Sequence, residues 1–367
     1  MKYKFYPKES RLYDFLQFPR LIYYRDEYDK RKEDSSYGTI VTEEYLNLIS
    51  RVENRLKPFE GEIEKFYMKE YYSNYDFIDL ISRANDIFGF KDEKDYLNML
   101  MALDEDEIRR NIVNSILLIN DELSSEFEDT IQKAKEISSD HNRMIEFIKE
   151  LPIEAGYKWN FFLIVGEPLK YIEMYVNLME ELLPIFEEIY KPFEKEIIDY
   201  GEYLVKFLNE RGEKGLKEIS YSIVDDKILE DENSNILISL IFPYALQIVT
   251  ARKTDFTVWG LKMEYAFKKM KEINENKILE RVQIFKNLGD KTRYEVLKLI
   301  AAGETSTKVI ANTLGVSSAT ISYHINNFLT SKVLKLDRSN DKFGYVVDYE
   351  LLEDVIEEFK KDMNFPK

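Results

Sequence analysis

Between residues 318 and 326 the chain sets Ser318, Ala319, Ser322, Tyr323 and Asn326 at intervals that place them on one side of a helix, with Ile321, Ile325 and Phe328 on the other. The first side is short, polar and uncharged. A helix with such a face can come close to the edges of base pairs, and hydroxyl and amide groups can exchange hydrogen bonds there, as reading the major groove of DNA requires. Candidates for contact with the phosphate backbone flank it. Thr307 and Lys308 open a helix, whose N-terminus favours an anion; Thr320 sits near the start of the next; Arg338 and Lys342 fall in a turn-rich loop.

The elements that must position these groups are legible in the punctuation. Asp290 fits the N-cap of a helix in which Tyr294, Val296, Leu297, Leu299 and Ile300 recur at helical spacing, and the run stops at Gly303. Ser306 fits the cap of a short helix over 307–314, closed by Gly315, which can take a positive φ. Ser317 then caps a third helix, 318–329. Residues 333–336 and 345–349 alternate as two strands around the loop. Residues 285–349 thus form a helix, a helix-turn-helix and a β-hairpin wing.

The strings LGDKTR, VLKLIAAGE and IANTLGVSSATISYHI, in that order, resemble the ArsR family of winged helix-turn-helix repressors. The chain departs from the family pattern at Lys291, where proline is usual, and at Lys332, where a glycine normally precedes the wing. Family resemblance implies a homodimer paired through the first and last helices, here 277–288 and 350–363. Ile278, Val282, Phe285 and Leu288, with Leu351, Leu352, Val355, Ile356 and Phe359, would supply the apolar faces. A two-fold dimer reads an inverted repeat with half-sites roughly 34–36 Å apart. Metal sensing, common in the family, is not expected, since the positions of its thiolate ligands hold Ser306 and Lys308, the chain has no cysteine, and 350–363 has no histidine. The carboxylates of that last segment, Glu353, Asp354, Glu357 and Glu358, read as a solvated face.

Charge divides the chain. Residues 286–345 hold nine Lys and Arg against five Asp and Glu, near +4, whereas the whole chain carries −17. A basic island on an acidic protein favours DNA locally while discouraging indiscriminate coating of it. With no cysteine and no apolar leader at the start, a cytoplasmic protein is expected. The longest uncharged run, 233–251, is broken by polar residues and reads as two strands, so no membrane partner is expected.

The remainder is mostly helical by pattern, over segments near 42–56, 58–72, 76–89, 93–101, 105–119, 124–150 and 168–209, the last interrupted by Pro184 and Pro192. Residues 236–242, 245–249 and 256–259 suggest a small β-meander. The expected fold is mainly α with that meander, a helical N-terminal domain and a C-terminal winged helix-turn-helix, divided as 1–217, 218–275 and 276–367. This order is similar to that of longer ArsR-type regulators whose N-terminal domain has no assigned role. Tyr23, Tyr24, Tyr28, Phe66, Tyr67, Tyr71, Tyr72, Tyr75 and Phe77, and further on Tyr157, Trp159, Phe161 and Phe162, suit either a ligand pocket or, as is more frequent, a core.

No phosphate-binding loop, dinucleotide fingerprint or zinc-protease motif is present, and two histidines leave acid–base catalysis without an evident player, so no enzyme and no cofactor are expected. His141 reads as a surface residue between helical turns and His324 as packing or a phosphate contact. Arg293 suits a phosphate contact or an ion pair with Asp290 or Glu295. The combined expectation is a homodimeric regulator of double-stranded DNA, with a small-molecule or protein effector at its N-terminal domain. The alternative is a winged helix used as a protein-interaction or architectural module.

Overall fold

The computed structural model describes residues 2–32, 37–67, 75–120, 127–224, 234–250, 253–275, 277–337 and 344–365. Helices dominate, and among the described residues none is long and apolar enough to cross a membrane. The chain forms two compact units. Met1–Asp29, Thr42–Asn209 and Asp231–Met263 make the first; Lys30–Val41, Glu210–Glu230 and Glu264–Lys367 make the second. The strands therefore group with the N-terminal helices.

The first unit is organised around a four-stranded sheet of β1 (Tyr3–Phe5), β2 (Ser234–Ser239), β3 (Leu246–Val249) and β4 (Phe256–Gly260). Its order, β1-β2-β4-β3, corrects the expected meander: β2 lies parallel to β1 and to β4, and only β3 is antiparallel to its neighbour. The chain leaves β2, runs along the sheet's edge as β3 and returns into the gap as β4. Strands flanked on both sides read as continuous apolar runs, and β4 is buried along its whole length. Gly260 permits this close return, because a Cβ there would sit 2.3 Å from the carbonyl oxygen of Pro243.

The helix Pro7–Gln17, unanticipated from the sequence, locks onto β2 through side chains. Ser10 Oγ accepts from the Ile238 amide at 2.9 Å, and the buried Asp14 accepts from Ser239 Oγ and, at 2.7 Å, from the Leu240 amide. Thr42 caps Glu43–Leu56 as expected. The expected helix over 124–150 is two, Phe127–Ser138 and His141–Glu150, the second capped by Asp140, with His141 exposed at its start. Pro184 stays inside the helix Pro168–Tyr190, and the long stripe divides at Pro192, in the 3-10 turn Lys191–Phe193.

The aromatic clusters separate by role. Phe66 and Phe77 are core, their ring centres 5.1 Å apart and both packed on Tyr175. Phe161 is buried, while Trp159 and Phe162 stack on the surface. Tyr23, Tyr24, Tyr67 and Tyr75 line a cavity of about 460 Å³ within the first unit. Tyr71 and Tyr72 lie outside the described residues.

Candidate nucleic-acid interface

In the second unit the helices Lys277–Gly289, Lys291–Ala301, Thr307–Leu314 and Ser318–Thr330 precede the hairpin of β5 (Leu334–Asp337) and β6 (Gly344–Val347), and Tyr349–Asp362 closes the chain. Ile284, Val296, Ile300, Ile310, Ile321, Ile325, Phe328 and Val333 form its core. All three expected caps are in place: Asp290 accepts from the Arg293 amide at 2.8 Å, Ser306 from Val309 at 3.3 Å and Ser317 from Thr320 at 3.1 Å. Gly315, at φ +67°, makes the turn between the third and fourth helices. The two strands pair antiparallel as a wing, with Leu334 opposite Val347.

Burying Ile321, Ile325 and Phe328 fixes the rotation of the helix Ser318–Thr330 and turns its other side outward. Ser322 and Asn326 are exposed, and Ser318 and Ala319 half-buried. Ser318, Ser322 and Asn326, four residues apart in turn, form one polar row. Tyr323 departs from the expected outward face, since its hydroxyl is buried. His324 is buried beside it, with the two ring centres 5.5 Å apart, which makes it a packing residue.

The positions expected to meet phosphate fare differently. Lys308 is exposed and joins no ion pair among the described residues, with Thr307 half-buried beside it. The Thr320 hydroxyl shares a hydrogen bond of 2.8 Å with Ser317 Oγ, so it serves the cap. Arg338 and Lys342 lie outside the described residues. Lys335, on β5, pairs with Asp348 at 2.6 Å.

Arg293 takes neither role expected of it. Its side chain is buried and turns back to the end of Lys277–Gly289, where Nε donates to the Asn287 carbonyl at 3.2 Å and one Nη to the Lys286 carbonyl at 3.1 Å. It therefore satisfies carbonyls that the ended helix leaves open. Asn287, which the sequence did not single out, is wholly buried and donates to the Asn327 carbonyl and to Ser331 Oγ, tying the first helix to the end of the fourth. Its only sequence signal is a polar residue at an otherwise core-facing position.

The first and last helices pack against each other. Phe285 and Phe359 bring their rings to 4.9 Å, and Arg281 reaches Asp362 at 2.8 Å and Glu358 at 3.4 Å. Leu352 turns to the core, whereas Ile278, Val282 and Ile356 stay 66%, 59% and 47% exposed. Among the described residues no cluster of three or more histidine, aspartate or glutamate side chains could hold a metal ion.

A family model described as a helix-turn-helix domain matches residues 288–336, the segment that carries the three capped helices and the first wing strand. No curated protein and no solved structure matches the chain. The C-terminal part is a helix-turn-helix domain with a wing, and such a domain makes DNA the chain's indicated partner.

Proposed function

We propose that this chain is a sequence-specific transcriptional regulator of the ArsR-like winged-helix type, acting as a homodimer on an inverted repeat, with no catalytic activity of its own. The observation that carries it is the row of Ser318, Ser322 and Asn326, held outward on the second helix of a capped helix-turn-helix. The exposed Ile278, Val282 and Ile356, on helices already packed together, support pairing through that face. The first unit is the place for an effector.

The test is a binding titration of the purified chain on its own promoter and on random duplex, across salt. Ser322→Ala and Asn326→Ala should each lower preference for the promoter by roughly 1–3 kcal/mol, and Lys308→Ala should weaken both duplexes alike and reduce the salt slope by about 1. Val282→Glu should shift the sedimenting species from dimer to monomer. Equal affinity of the wild type for both duplexes, with the dimer intact, would leave the winged helix as a protein-interaction module instead.

A further inference from the structure

The cavity of the first unit is lined by no residue of the helix-turn-helix. At about 460 Å³ it falls in the size range of small-molecule sites. Two arginines stand in its wall, and their states differ. Arg20 is saturated: Nε donates to Gln17 Oε1 at 2.6 Å, Nη2 to Asp79 at 3.2 Å, and Nη1 meets the buried carboxylate of Asp76.

Arg83 is not. It is 7% exposed, gives one hydrogen bond from Nη1 to the Thr250 carbonyl at 3.3 Å and lies 5.3 Å from the ring centre of Tyr75. Among the described residues its buried Nε has no hydrogen-bond partner and no Asp or Glu pairs with it. A guanidinium out of water with no anion among the described residues is costly, and an anion bound in the cavity would offset that cost. Tyr23, which lines the same cavity, carries another donor in the same condition. The Tyr23 hydroxyl is buried and has no partner among the described residues, and burial, reinforced by Glu64 and Glu60, pushes its pKa up to about 12, which keeps the proton in place to donate.

We propose that this cavity binds a small aromatic monocarboxylate, with the carboxylate on Arg83 and the ring among Tyr13, Tyr67 and Phe242. One unsatisfied guanidinium matches one negative charge, and its planar edge suits two carboxylate oxygens. Glu27 and Asp79 in the same wall oppose a dianion such as a phosphate ester. The surrounding rings match a flat apolar body, and the Tyr23 hydroxyl suits a polar substituent on it. The site gives a chemical class to the effector of the proposed regulator; it rests on that reading for its regulatory meaning alone, because binding is measured without DNA.

The experiment is titration calorimetry of the full chain with benzoate, 4-hydroxybenzoate and indole-3-acetate, beside 4-hydroxybenzamide and phenyl phosphate. Saturable binding of at least one carboxylate at one site per chain is expected, with the amide and the phosphate ester at least tenfold weaker. Arg83→Gln should weaken binding at least tenfold, and Tyr23→Phe, which breaks no internal hydrogen bond, severalfold at unchanged melting temperature. Absence of saturable binding by all three carboxylates overturns the proposal, as does tighter binding of phenyl phosphate. If Arg83→Gln fails to fold, Tyr23→Phe and the amide decide: affinity unchanged in both sinks it. Loss of DNA preference with carboxylate binding intact would reject the regulator and leave this site standing.

Discussion

Arg293 illustrates how a side chain's role depends on what ends nearby. Its backbone amide is capped by Asp290, and its guanidinium closes the carbonyls of Lys286 and Asn287, so one residue seals the end of one helix and the start of the next. Hydrogen bonds to a charged group contribute about 1.5–3 kcal/mol, and removing the donor leaves buried carbonyls open. Arg293→Ala should therefore lower the stability of the full chain by about 2–3 kcal/mol in urea denaturation. A midpoint unchanged by the substitution, with DNA affinity reduced, would return the residue to phosphate contact. Ser322 and Asn326 differ in kind: exposed, and with no side-chain hydrogen bond among the described residues, they can be altered for function with little cost to the fold.

Helix starts and stops were the most legible elements, because their causes are local. Asp290, Ser306 and Ser317 each cap the helix that follows within three residues, and Gly303 and Gly315 take positive φ, +93° and +67°, in the turns between them. The turn into the wing is the exception. Lys332 adopts φ +59°, a conformation that glycine takes freely and a residue with a Cβ takes at a cost. Lys332→Gly should raise stability by up to about 1 kcal/mol while leaving the wing's pairing intact, as measured by thermal melting and the pattern of amide exchange over β5 and β6. A fall in stability would mean that the lysine's stem contributes more packing than its backbone loses. The proline in the helix Pro168–Tyr190 was misjudged for the converse reason: Pro184 marks where a helix is weakened, but the packing of Leu182, Ile185 and Phe186 in the core decides whether it breaks.

At the scale of the whole molecule, the first unit is closed by contacts across more than two hundred residues. Tyr3–Phe5 pairs with residues 234–236, and Asp14 holds the end of β2. Burial pushes the Asp14 carboxyl up to about 7, against the opposing pull of its hydrogen bonds from Ser239 and from the backbone at Leu240 and Ile241. With an unfolded value near 3.9, the folded state holds this proton more tightly, so the contribution is fully present below about pH 4 and is lost as pH rises to about 7. Asp14→Asn should therefore be most destabilising, relative to the wild type, near pH 4, and the gap should narrow by pH 7.5. Urea midpoints of the two proteins across that range provide the check; a gap that widens with pH reverses the sign and rejects the raised carboxyl. The acidic total of −17 remains a property of the whole chain, beside a near +4 island over 286–345.

The helix-turn-helix was readable from residues 285–349 alone because each of its decisions is made within a few residues: a cap, an apolar period, a glycine that turns. The tertiary structure alone decided the rest. It set β4 between β2 and β3, moved the Tyr323 hydroxyl inside, gave Arg293 two carbonyls, and left Arg83 and Tyr23, which line one cavity, with donors unmatched among the described residues. Whether a polar group is satisfied depends on partners distant in the chain, and no spacing along the sequence records which of them arrive.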